Sequence, residues 1–191
     1  MKQQSESLDK TIQKRVHLNY LSYLPPAAAA DPLRKWPAIF FLHGSGERGE
    51  NLQQLTIYGI PLRVEHDEDF PFITISPQCP EDNWWLMIID ELDALFEEVV
   101  ARYPIDLSRV YLTGLSMGGY GVWSWAVRHP ERFAALAPVC GGGFEFEGFP
   151  ERVCELKDIP VWAFHGGKDT VVPVQESEVM VKTLQACGGQ A

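Results

Sequence analysis

At 191 residues the chain is long enough for one domain that buries most of its apolar surface. Apolar residues at 46% and charged residues at 22% are the balance of a water-soluble globular protein. A formal net charge of −10 argues against a nucleic-acid partner, and the scattered acidic residues read as a solvated surface.

Met1 to Asp9 is polar and has no apolar stretch of the kind a secretory signal carries. No segment approaches the ~20 apolar residues of a membrane helix. A cytoplasmic setting is therefore expected, with residues 1–14 as an arm and 15–191 as one domain. Arg15 to Leu24 alternates in hydropathy, as a half-buried strand does. Pro25 to Lys35 reads as a loop with an alanine run. Pro37 to Leu42 is a continuous apolar run, a buried parallel strand, and it empties into His43-Gly44-Ser45-Gly46. Asn51 to Val64 is expected to be helical in its first half, with Gly59 and Pro61 interrupting. Phe70 to Ser76 is another short buried strand. From Trp85 to Tyr103 the period becomes helical, with Ile88, Leu92, Leu95, Phe96 and Val99 on one face. Val110 to Thr113 is a strand, Met117 to His129 a helix, and Phe133 to Val139 and Pro160 to Phe164 are strands. Val174 to Cys187 is a helix stopped by Gly188-Gly189. Strands alternating with helices predict an α/β fold, a mainly parallel sheet with helices on both faces.

Gly114-Leu115-Ser116-Met117-Gly118 sits between a predicted strand and a predicted helix. That context makes Ser116 a nucleophile on a sharp turn where only small residues fit two positions before and after it. Its hydroxyl would lie at a helix N-terminus, whose dipole favours an oxyanion. The amide of Met117 and one from the His43–Gly49 loop, assigned to Ser45, are the expected oxyanion donors. Glu47 and Arg48 are expected to pair and hold that loop. Asp169 follows the Pro160–Phe164 strand, where a carboxylate can orient an imidazole. In this chain order the base should come after the acid, yet no histidine follows Asp169. His17, His43, His66, His129 and His165 all precede it, with His43 and His165 as fallbacks. Cys79, Cys140, Cys154 and Cys187 show no metal-like or C-x-x-C spacing. They are expected to be free, with a Cys140–Cys154 bridge as the alternative. No metal or cofactor is called for.

The segments LHGSGERG, PQCPEDNWW, RVYLTGLSMGGYGVW and PVWAFHGGKDTVVP together resemble the α/β-hydrolase esterases of the dienelactone-hydrolase and phospholipase-carboxylesterase type, in the branch labelled "predicted peptidase" or feruloyl-esterase-like. The resemblance runs from about residue 15 to 188. It implies an α/β-hydrolase fold and hydrolysis of small or aryl carboxylic esters through an acyl-enzyme, with Ser116 as nucleophile and Asp169 as acid. It also implies Trp84 and Trp85 as a substrate-pocket wall. The family pattern continues with a further strand, a histidine and a helix that these residues lack, so weak turnover is expected of this chain. A serine peptidase of the same fold and a non-catalytic binding protein that kept the pocket are the competing readings. With no strand beyond 160–164, its apolar Val161, Trp162 and Phe164 would form a sheet edge open to homodimer formation.

Overall fold

A computed structural model of the chain describes residues 4–31, 33–67 and 69–191. Residues 4–14 of the expected arm are exposed and without regular structure, while residues 1–3 lie outside the described residues. Lys14 reaches Glu91 at 2.7 Å, tethering the end of this arm to the body.

Among the described residues, five strands form one sheet in the order β1-β3-β2-β4-β5. β2 (Trp36–Leu42), β3 (Ile73–Pro77), β4 (Ile105–Leu115) and β5 (Ala135–Val139) run parallel, and β1 (Tyr20–Tyr23) closes one side antiparallel to β3. β1 is shorter than the predicted Arg15–Leu24 strand because only residues opposite β3 find hydrogen-bond partners. The 160–164 segment runs parallel beside β5, joined by two isolated bridges at Val161 and Phe164. Its outer edge is partly used, since Val161 N–H donates to the carbonyl of Gln190.

Helices cover both faces, and the pleat of β2 separates them. Ala38, Phe40 and Leu42 point to a face roofed by α3 (Ile89–Arg102) and α4 (Met117–Ala126). There Phe40 stacks on Phe96 and meets Trp125 edge-on. α3 is amphipathic, with Asp90 and Glu91 in its first turn and Arg102 in its last, signs that suit the helix dipole. α4 is apolar almost all round, as a helix enclosed by the core must be. On the opposite face Phe41 packs under Gly59 of α2 (Gly59–Glu65).

The 51–65 stretch inverts the sequence expectation. Leu52–Ile57 winds as a 3-10 helix, and the α-helix begins at the glycine expected to interrupt it. Pro61 falls within the first turn of α2, where a missing N–H costs nothing. Pro26–Ala30 forms the short helix α1, where a loop was expected.

α5 (Gln175–Ala186) packs beside the 3-10 helix Glu151–Leu156, and a disulfide joins Cys154 to Cys187 across that contact. This corrects the expectation of free cysteines at these two positions. Cys79 and Cys140 remain thiols. Sequence spacing could not reveal the pair, because α5 and the 151–156 helix meet only after the chain has passed through the sheet edge between them.

Candidate active site

The carboxyl ends of parallel strands are where α/β sheets present chemistry, and there the predicted segments converge. Ser116 occupies the single step between β4 and α4 with φ +54° and ψ −114°. A non-glycine residue is strained there and persists only where its surroundings over-determine it. The constraint is visible on both sides. A Cβ on Gly114 would sit 2.5 Å from the Gly118 carbonyl, and one on Gly118 would overlap the carbonyl of Leu42. The Ser116 amide is fixed to Val139 O at 2.9 Å. The serine is half-buried at the N-terminus of α4.

The loop after β2 lies alongside. A Cβ on Gly44 would stand 3.9 Å from the Cβ of Ser116. Ser45–Glu47 then turns as a short 3-10 helix. Met117 and Ser45 are the first residues of their helical turns, so their amides have no intrahelical acceptor. The loop is braced from outside. Gln78 donates from Nε2 to the carbonyls of Glu47 (2.9 Å) and Asn51 (3.0 Å), and Gly49 N–H donates to Cys79 O. The expected Glu47–Arg48 pair does not form. Arg48 donates instead to the carbonyls of Ser45 and Asn83, and the Glu47 carboxylate lies 3.8 Å from His43 Nδ1.

His43 is buried and both ring nitrogens are engaged. Nδ1 donates to Gly44 O at 2.5 Å, and Nε2 accepts from Cys79 N–H at 2.9 Å. Burial lowers its pKa to about 4, so it is neutral at pH 7. Trp85 packs edge-on against this ring and donates its indole N–H to His43 O. Trp85 is thus part of the scaffold beneath the loop, whereas Trp84 is 40% exposed.

Asp169 sits in the loop after the 160–164 segment. Its Oδ1 accepts from the amides of Val171 (2.9 Å) and Val172 (3.0 Å), which hold the carboxyl below its usual range. Oδ2 makes neither of these bonds and lies 3.7 Å from His165 Nε2. His165 is a strut. Nδ1 meets Ser177 Oγ at 2.7 Å, Nε2 meets Val172 O at 2.8 Å, and the Ser177 hydroxyl reaches Gly141 O at 2.8 Å. The other histidines stand elsewhere. His129 binds Asp93 at 2.9 Å, His66 is exposed at the end of α2, and His17 is exposed against α3.

Cys140, a residue that sequence reasoning did not place at the site, interacts with both Ser116 and Asp169. It follows β5 with φ +41°. Burial pushes its thiol up in pKa, the Ser116 backbone opposes that shift, and the Asp169 charge adds to it. The thiol is therefore within electrostatic reach of both. The sequence signal was slight: a cysteine ending a strand before three consecutive glycines. Among the described residues no group of three or more His, Cys, Asp or Glu side chains is placed to hold a metal, and no helix is long and apolar enough to cross a membrane.

Comparison with known proteins agrees with this architecture. The Esterase family model matches residues 10–142. The bifunctional acetylxylan esterase/xylanase XynS20E of Neocallimastix patriciarum is 30% identical over 161 residues, covering 78% of this chain and 22% of that protein. The poly(3-hydroxyoctanoate) depolymerase of Pseudomonas fluorescens is 30% identical over 169 residues, covering 74% of this chain and 59% of that protein. A thermostable esterase of known crystal structure superposes with a TM-score of 0.75 at 34% identity, over 91% of this chain and 49% of that one. The chain therefore spans only part of the length of the proteins it matches. The family match and the superposition agree: the chain has the α/β-hydrolase fold and belongs to the Esterase family.

Proposed function

We propose that this chain carries the acyl-transfer centre of a serine carboxylesterase, with Ser116 as nucleophile. The observation that supports it best is the strained Ser116 backbone, locked between Gly114 and Gly118 at the start of α4 and beside the 44–47 loop. Attack of Ser116 Oγ on an ester carbonyl would place the developing charge near the amides of Met117 and Ser45, and water would then release the acyl group. Asp169, with Oδ2 free of the two amides that hold Oδ1, is the acid that would orient an imidazole. Trp84 is the exposed indole left to line the acyl side. The substrate is a small-molecule carboxylic ester.

None of the five histidines is placed to serve as base. His43 and His165 have both ring nitrogens in hydrogen bonds, and the other three lie against other parts of the fold. The 191-residue chain should therefore acylate slowly, at roughly the 10³–10⁴-fold over water that a serine hydrolase retains without one triad member. The test is p-nitrophenyl acetate hydrolysis with added imidazole, read against Ser116→Ala. A Ser116-dependent rate that imidazole raises supports the reading. A full rate without imidazole would return His43 or His165 to the role of base, and failure of a fluorophosphonate to label Ser116 would remove the nucleophile assignment altogether.

A cytoplasmic setting, expected from the polar N-terminus, is in tension with the Cys154–Cys187 bridge, since such bridges persist in oxidising compartments.

A further inference from the structure

The His165 side chain is 4% exposed and sits between two loops. Nε2 meets the carbonyl of Val172 at 2.8 Å, and Nδ1 meets the hydroxyl of Ser177 at 2.7 Å. Each contact leads on to one half of the candidate site. Val172 N–H donates to Asp169 Oδ1, so the residue that His165 grips is one of the two whose amides hold the acid. On the other side the Ser177 hydroxyl reaches the carbonyl of Gly141 at 2.8 Å. Gly141 in turn packs on Gly119, in the first turn of α4 after Ser116, so closely that a Cβ on it would lie 2.3 Å from the Gly119 backbone.

Counting hydrogens along this line fixes the state of the ring. A backbone carbonyl only accepts, so the Val172 contact needs a hydrogen on Nε2, and the Gly141 contact uses the one hydrogen of the Ser177 hydroxyl. The contact between Nδ1 and Ser177 then needs a second hydrogen from the ring. A neutral imidazole and one hydroxyl together hold one hydrogen too few. A neutral ring would leave two lone pairs facing each other, either between Ser177 Oγ and Gly141 O or between Nδ1 and Ser177 Oγ, at a site closed to water. His43 is the opposite case, because its Nε2 accepts from the Cys79 N–H and one ring hydrogen is enough.

The groups on the surrounding elements suit a positive ring. On the acid loop Asp169 Oδ2 lies 3.7 Å from Nε2, and Lys168 is exposed. At the start of α5, Glu176 precedes Ser177 and bonds Tyr120 of α4. After β5, burial pushes the Cys140 thiol up in pKa and keeps it uncharged.

We propose that His165 is a positioning residue for Asp169 and holds it as an imidazolium, registering the acid loop against the elbow through Val172 on one side and through Ser177 and Gly141 on the other. This rests on the esterase reading above and deepens it: the register between acid and nucleophile depends on one proton, since losing it breaks one of the three contacts. It also gives the reason why His165 is no base, because neither ring nitrogen keeps a lone pair.

Nitrogen–proton correlation NMR of the histidine rings in the full chain reads the hydrogen count directly, with His165 assigned by its loss in His165→Asn. Both ring nitrogens of His165 should carry hydrogen at pH 7. Ser177→Ala deletes the acceptor for the Nδ1 hydrogen, so the affinity of the ring for its second proton should fall about tenfold. One bare ring nitrogen at pH 7, or a Ser177→Ala titration identical to the parent's, overturns the proposal. The positioning role is read from imidazole-stimulated p-nitrophenyl acetate hydrolysis from about pH 6 to about 9, less the Ser116→Ala background and corrected for the neutral fraction of imidazole. The parent rate should fall where the ring loses its second proton. His165→Asn, whose amide offers a hydrogen to Ser177 at every pH, should give a flat profile. A parent profile without that fall overturns the positioning role even if the ring is doubly protonated. Fluorophosphonate labelling of Ser116 separates the two readings. Labelling with a neutral ring overturns this proposal alone, and a doubly protonated ring without labelling overturns the esterase reading while the charged strut stands.

Discussion

β4 and the elbow that follows it have neighbours on both sides, whereas the 160–164 segment and the acid loop have a full strand on one side only. β4 pairs with β2 and β5 and is roofed by α4, and the elbow is fixed by backbone atoms in van der Waals contact. The acid region pairs with β5 through isolated bridges, exposes 72% of Trp162, and is held by hydrogen bonds and a disulfide. One half of the candidate site is set by packing and the other by tethers. Close packing leaves no room for substitution, while tethers can be cut one at a time.

The largest effect should come from the elbow. Gly118→Val places a branched side chain where even a Cβ overlaps the Leu42 carbonyl and approaches His43 O. Backbone cannot rotate away as a flexible side chain can, so a loss on the order of 4 kcal/mol is expected in urea denaturation. Wild-type stability in this variant would sink the account of the elbow. The next effect belongs to the tethers. The Cys154–Cys187 bridge closes a loop of sequence separation 33 that contains the whole acid segment. Cys154→Ser, or reduction, should cost about 2–4 kcal/mol and lower Tm by roughly 10 °C. Hydrogen exchange should quicken in residues 160–187 before it does in β4. Uniform quickening would mean that the two regions unfold together and that the contrast between them is false.

The same contrast explains what could be read from the chain. The elbow was legible because each constraint is local: a β-strand run, small residues two before and two after the serine, then a helix. The place of Asp169, in a turn after the 160–164 segment, was legible through its strand and turn context. Trp85 was not separable from Trp84, because adjacent residues in a turn face opposite ways and only the folded chain shows that one indole bonds His43 O. Cys154 and Cys187 were missed for the opposite reason, that nothing near either residue in sequence marks the other. The α2 boundary failed where Gly59, with φ +65°, starts a helix instead of ending one. His43 and His165 were expected to serve their loop and turn and were kept only as fallback bases; the structure puts both ring nitrogens of each in hydrogen bonds.

Acid separates the two regions by pH. His43 is held neutral by burial, with its pKa lowered from 6.5 to about 4. The unfolded chain takes up that proton first, so stability at the elbow should fall as pH drops from about 6.5 to 4. The whole shift corresponds to about 3 kcal/mol. Asp169 behaves differently. Its folded pKa is depressed by the Val171 and Val172 amides, so its contribution is present above the ordinary carboxylate value and is lost only as pH falls through the lower folded one. Denaturation midpoints between pH 7 and 4 should thus decline in the parent chain and stay nearly level in His43→Gln. An unchanged slope would place the titrating group elsewhere.

The smallest effect is expected within the acid loop itself. Gly166 and Gly167 lie in a turn as glycine-rich as the elbow, directly before Asp169, yet a Cβ at either position would meet nothing within 4 Å. Neither has a positive φ. Gly166→Ala and Gly167→Ala should therefore change stability by less than about 0.5 kcal/mol, and stiffening the unfolded chain could make the change favourable. The sequence alone cannot distinguish this glycine pair from Gly118 and Gly119. A cost above about 1 kcal/mol at Gly166 or Gly167 would show a constraint on the acid loop that its packing does not contain, and the difference between a packed half and a tethered half would then have to be abandoned.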